Sequence, residues 1–250
     1  SNSMICSEKE LGISEEHDGV IFLDADAPTG MPLVDYMGDA VFEISILPNI
    51  VRDAAIIGIA RELSAGLKRE LRLPEGVNFS EGEEIGQKIG LRIENAELNP
   101  RFMIGMIEGA RAQPSPYWVR RRLALAGMRP IDALVDATNY TMLDTGQPLH
   151  AFDYQLLEAR ADGKPIIVTR PAKNGEKLTT LDGTTHTLDD SVELVTDSAG
   201  PLSLAGIMGG SETGIHQGTQ TVVLEAASWN FINIRKTTLR CKLNTEASYR

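Results

Sequence analysis

From Ile56 to Leu73 the apolar residues Ile56, Ile59, Ala60, Leu63, Leu67 and Leu71 recur at three- and four-residue steps, with Arg61, Glu62, Lys68, Arg69 and Glu70 between them. That spacing predicts an amphipathic helix, closed by Pro74-Glu75-Gly76. Two shorter helices follow. Ser115-Pro116 reads as an N-cap with proline at the first helical position, Trp118, Val119, Leu123 and Leu125 form the apolar side, and Gly127 stands where a C-cap belongs. Pro130 opens the next, with Ile131, Leu134, Val135 and Met142 on its apolar side. Elsewhere the pattern shortens to β-type runs: Val20 to Leu23, Val41 to Ile46, Ile166 to Thr169, Val192 to Val195, Leu202 to Leu204 and Thr221 to Leu224. Leu178-Thr179-Thr180-Leu181 and Thr184-Thr185-His186-Thr187 flank Asp182-Gly183, a strong hairpin signal because both residues tolerate positive φ. The pattern predicts an α+β fold, with helices in the first half and a β-sheet or barrel-like second half.

Composition narrows the function more than the fold. The 250 residues carry a formal net charge of -11. A protein that grips nucleic-acid phosphates unaided is usually basic, so any RNA contact is expected to be confined to a short end. No apolar run approaches the roughly 18–20 residues of a membrane helix. Ser1-Asn2-Ser3-Met4 lacks the charged and apolar regions of a signal peptide. Cys6 and Cys241 are the two cysteines, read as free thiols of a reducing cytoplasm. His17, His186 and His216 show no metal spacing and no Cys-x-x-Cys occurs, so no metal is expected.

Three stretches resemble the beta subunit of bacterial phenylalanine–tRNA ligase. They are Met4 to Gly12; Arg129 to Tyr140 running on to Gly146-Gln147-Pro148-Leu149-His150-Ala151-Phe152-Asp153; and Leu204 to Gly210 followed by Val223-Leu224-Glu225-Ala226-Ala227. Gly58 to Leu63 and Thr245 to Arg250 also match. One departure is Ile50-Val51-Arg52-Asp53, where the family commonly has an arginine, a proline and an aspartate. The resemblance implies a fragment: residues 1–3 a cloning scar, 4–76 an entry segment and helix, 77–240 the editing module, 241–250 the start of a next domain. It also implies a cytoplasmic location and, as partners, an alpha subunit in a heterotetramer and the 3′ end of a tRNA carrying tyrosine. Neither membrane nor DNA is expected. ATP and magnesium would belong to the parent complex, and no cofactor is expected in this piece.

The implied task is to remove tyrosine attached in place of phenylalanine. A pocket shaped for phenylalanine rejects an added hydroxyl only by roughly a hundredfold, whereas a second sieve that hydrogen-bonds the hydroxyl discriminates by as much as ~10⁴. Glu225 ends the apolar run Val222-Val223-Leu224, and a carboxylate there is costly unless it has a partner or a task. The resemblance makes it the para-hydroxyl contact; a strand-end glutamate reaching solvent or an arginine is the plain alternative. Ala205 and Gly206 would form a wall flat enough for an aromatic ring, or simply a tight turn. His150, after the bend at Pro148, would position water or act as general base at the pocket mouth, or bond a backbone carbonyl. Thr138 and Asn139 would hold the amino group or the attacking water, or mark a fraying helix end. Arg129 would meet the carboxyl side of the substrate or the terminal ribose, or is a surface arginine. Ester hydrolysis needs no covalent nucleophile, and no Gly-x-Ser-x-Gly elbow is present. An inactive structural or tRNA-positioning module is the second reading.

Overall fold

The computed structural model describes residues 4–15, 17–74, 76 and 82–250. The expected scar at residues 1–3, Glu75 of the helix-closing turn, and residues 78–81 of the acidic stretch lie outside these. In chain order the elements are α1 (Leu33–Met37), α2 (Ile56–Leu67), β1 (Gly90–Ile93), β2 (Arg101–Glu108), α3 (Tyr117–Leu125), α4 (Ala133–Thr145), β3 (Leu149–Asp153), α5 (Tyr154–Arg160), β4 (Ile166–Pro171), β5 (Lys177–Thr179), β6 (Thr185–Thr187), β7 (Glu193–Thr196), β8 (Pro201–Leu204), β9 (Met208–Gly209), β10 (Thr221–Ser228), α6 (Phe231–Cys241) and α7 (Glu246–Tyr249). Among the described residues no helix is long and apolar enough to cross a membrane.

The chain divides into two compact units. The smaller comprises Ser1–Glu43 with Pro116–Arg129. Within it Arg121 donates to the carbonyl of Met37 and pairs with Asp39 at 3.4 Å, tying α1 to α3. Gly127, at φ +79°, ends α3 as expected, and Met128 N–H returns to Leu123 O at 2.9 Å. Val20 to Leu23, read as a strand, forms none, although Ile21 N–H donates to Cys6 O at 3.0 Å. Its Phe22 is exposed, so no apolar face demands a partner strand.

The larger unit, Ile44–Ser115 with Pro130–Arg250, is an α+β body with open sheets. A five-stranded sheet runs β1-β4-β7-β8-β9 and a three-stranded sheet runs β2-β10-β3. The expected hairpin forms β5 and β6, with Gly183 at φ +81° in the turn. Side-chain alternation defines the interior. Phe102, Phe152 and Val223 project from the small sheet and meet Ile167, Val195, Leu202 and Ala205 of the large one. A second cluster, with Leu178, Leu188, Leu194 and Leu204, fills the far side of the large sheet.

Helix α2 stops at Lys68, which adopts the left-handed conformation, three residues before the last apolar position of the sequence pattern. Val41 to Ile46 forms no strand; Val41, Phe42 and Ile44 are exposed. Ser115 does not cap α3: it is buried, and its hydroxyl donates to Asp136 Oδ2 at 2.5 Å. Asp136 also accepts Ile131 N–H at 2.8 Å, while Asp132 caps α4 by accepting Leu134 and Val135 N–H. The helix therefore starts at Ala133, past Pro130. Asp136→Ala leaves the Ser115 hydroxyl and Ile131 N–H without their acceptor inside the protein. Urea unfolding is expected to show a loss of about 2–3 kcal/mol, against less than 1 kcal/mol for the Asp144→Ala control on the same helix.

Candidate active site

The central strand of the small sheet places the key side chain. β10 pairs antiparallel with β2 on one edge and β3 on the other, with Glu225 opposite Ile104 and opposite His150. Directly opposed residues share a face. That face also carries Phe102, Ile104, Phe152 and Val223, and it looks into the layer between the sheets. Glu225 and His150 are thus neighbours on the interior face, drawn together from 75 residues apart in sequence by register alone.

Neither has a protein partner where it is buried. Glu225 is 6% exposed, and its Oε2 is buried without a hydrogen bond among the described residues, as is Nε2 of His150. Burial alone pushes the Glu225 carboxyl up to about 8, from an ordinary 4.5. It depresses the His150 imidazole to about 4, from 6.5. At neutral pH both are uncharged, a carboxylic acid able to donate and an imidazole able to donate and accept. An imidazole so depressed is a weak general base; it is suited to holding a water or a hydroxyl in place.

A glycine of the large sheet lies against one of the pair. The His150 ring stacks edge-on against Phe152, with centroids 4.5 Å apart. The ring also lies against Gly209 in edge strand β9, where a Cβ would come within 2.7 Å of Nε2. Ala205 is buried in the same interior cluster, which Trp229 flanks. Gly206, at φ +65°, abuts Trp229, and a Cβ there would lie 2.5 Å from the indole Cδ1. Trp229 in turn stands edge-on to Phe102, centroids 5.8 Å apart. Pro148 precedes β3, and the Gln147 side-chain amide donates to Pro148 O at 2.9 Å and Ala227 O at 3.2 Å, fastening the start of β3 to the end of β10.

The other residues singled out from sequence sit differently. Thr138 and Asn139 are in the middle of α4, not at a fraying end. Thr138 is buried and donates to Val135 O at 2.7 Å. Leu134, one turn earlier, packs with Ala151, Val222 and Leu224 on the outer face of the small sheet. Among the described residues no hydrogen bond links Thr138 or Asn139 to Glu225 or His150. Arg129 is exposed and belongs to the smaller unit. Sequence reading did not single out Gly209, which lies against His150, or Trp229, which stands edge-on to Phe102. The alternation His150-Ala151-Phe152 within a β-prone run was the available signal for the His150–Phe152 stack. Among the described residues no group of three or more His, Cys, Asp and Glu is placed to hold a metal ion.

On the interior face a carboxyl and an imidazole, both neutral at pH 7, sit opposite each other in register, with the Gly209 backbone and the Phe152 ring against the imidazole. The chain belongs to the B3/4 domain family, whose model matches residues 98–250. Over its whole length it is 41% identical to a phenylalanine–tRNA ligase beta subunit of Dehalococcoides mccartyi, of which it covers 30%. It is 42% identical to that of Geobacter sulfurreducens, covering 31%. The chain thus spans less than a third of the length of these curated relatives. A solved N-terminal fragment of the phenylalanyl-tRNA synthetase beta subunit from Pyrococcus horikoshii aligns over 84% of this chain and 64% of that one, at TM-score 0.41 and 17% identity.

Proposed function

We propose that this chain is the editing module of a phenylalanine–tRNA ligase beta subunit and hydrolyses the ester of tyrosine wrongly attached to the phenylalanine tRNA. The tRNA 3′ end is its substrate, and the alpha subunit is a partner of the longer protein. The observation that carries the reading is the register pair Glu225–His150, buried with unpartnered polar atoms on the interior face. A phenol hydroxyl entering the layer donates to and accepts from the Glu225 carboxyl, while phenylalanine leaves that group unsatisfied. His150 lies opposite it, and exclusion of water from the layer strengthens each hydrogen bond made there. The net charge of -11 fits a module that meets only the aminoacyl end and leaves the phosphate grip to other domains.

The direct test is release of tyrosine from tyrosyl-tRNA(Phe) by excess protein. The chain is expected to accelerate release over the spontaneous rate and to spare phenylalanyl-tRNA(Phe), with His150→Ala slower by ~100-fold. A rate equal to the spontaneous one with both substrates favours the module that only positions tRNA.

A further inference from the structure

The interior layer holds a second carboxyl that the hydroxyl contact leaves unused. Glu193 opens β7, the middle strand of the five-stranded sheet. Its neighbour Leu194 packs on the far side with Leu178 and Leu204. Alternation turns Glu193 the other way, to the face of Val195 that meets the small sheet. The residue is 2% exposed, and neither carboxyl oxygen has a hydrogen-bond partner among the described residues. Its carbonyl accepts Ala205 N–H at 3.2 Å, which sets it beside the Ala205–Gly206 wall. The nearby cation forms no ion pair with it: the Arg170 guanidinium is taken by both oxygens of Glu176, at 2.7 and 2.9 Å, and by Pro171 O.

A buried acid with two empty acceptors and no partner is retained against a cost of several kcal/mol, unless a ligand supplies the donor. Glu225 and Glu193 face one layer from opposite sheets, and a ligand that reached both would meet two polar groups. An aminoacyl ester offers a suitable second group: unlike the free amino acid it carries an ammonium with no carboxylate beside it. We propose that Glu193 binds the α-ammonium of the aminoacyl ester, as the counter-charge at the opposite end of the ligand from the Glu225 contact. This rests on the editing reading and extends it. Burial foremost, then the Glu94 charge, raises the Glu193 carboxyl to about 7 against the opposing pull of Arg170, so an arriving cation favours the ionised form.

Three small ligands separate the contacts in calorimetric titrations of the whole chain: tyramine with both groups, 4-ethylphenol without the amine, and phenethylamine without the hydroxyl. The chain is expected to bind tyramine ~30-fold more tightly than 4-ethylphenol. Glu193→Gln should equalise those two while keeping tyramine ahead of phenethylamine. Equal binding of tyramine and 4-ethylphenol by the unaltered chain, which needs no variant to fold, overturns the proposal and leaves the tyrosine reading standing. So does an undiminished amine preference in Glu193→Gln. Failure of the unaltered chain to bind either phenol removes both.

Discussion

Titrated with L-tyrosine and L-phenylalanine, the chain is expected to prefer tyrosine by ~100-fold, and Glu225→Ala to abolish that preference. The reason lies in what each ligand leaves behind. Tyrosine satisfies a buried carboxyl that has no partner at Oε2; phenylalanine seals it off from water and leaves it orphaned. The alanine variant has nothing to satisfy, so the two ligands differ only by the hydroxyl's own desolvation and phenylalanine draws level. Undetectable binding of both at millimolar concentration, in a folded chain, contradicts the sieve. Glu225→Gln keeps a donor and an acceptor and is expected to retain most of the preference. It should also change the stability profile. With a folded pKa of about 8 and an ordinary value of 4.5, the native state holds a proton between those limits that the unfolded chain has released. Glu225's contribution is therefore fully present below pH 4.5 and lost as pH rises through 8. His150, depressed to about 4, runs the other way: the unfolded chain takes up a proton as pH falls from 6.5 towards 4, so stability falls with acidity there. Urea unfolding at pH 9 should find Glu225→Gln more stable than the unaltered chain by about 2–4 kcal/mol, and near equal at pH 5.

Gly209→Ala is expected to slow tyrosyl-ester hydrolysis by ~100-fold or more. The added Cβ would come within 2.7 Å of His150 Nε2 and closer still to Cε1. Phe152 also packs against the ring, which limits where it can move. A catalytic or positioning imidazole displaced by an ångström loses its alignment with the reacting ester. The stability loss should stay near 1–3 kcal/mol, since two side chains, His150 and Leu181, rather than the backbone meet the methyl group. Gly214→Ala is the matched control: its Cβ would meet only Leu181, at 3.4 Å. If hydrolysis by Gly209→Ala equals that by Gly214→Ala, the packing of His150 on β9 has no part in the chemistry.

Local signals were legible where local physics decides. Asp182-Gly183 forms the turn it encodes, Gly127 ends α3, and the apolar stripe from Ile56 makes α2. The stripe overran because Lys68 turns left-handed, an outcome no periodicity reports. Val41 to Ile46 has strand composition but no partner strand, and pairing is a tertiary matter. α6 escaped notice because Phe231, Ile232 and Leu239 are exposed, which blurs its amphipathic stripe, although Asn230 caps it conventionally. In the site, Glu225 and His150 stood out singly; that they are one pair is a fact of register between β3 and β10. Glu193 was invisible because a glutamate in Val192-Glu193-Leu194-Val195 reads as the solvent side of a strand, and only burial of both faces of β7 reverses that.

The place of β10 also governs how the molecule comes into being. The small sheet has no core strand until residues 221–228 arrive, since β2 and β3 pair with β10 and not with each other. The β2–β10 ladder closes across more than a hundred residues of intervening chain, a high-contact-order step that folds slowly. During synthesis Phe102 and Phe152 wait on unpaired edges while the large sheet is already complete up to β9. The register pair of Glu225 and His150 is thus among the last features to assemble, and a nascent chain halted before Thr221 presents two sticky strands without it.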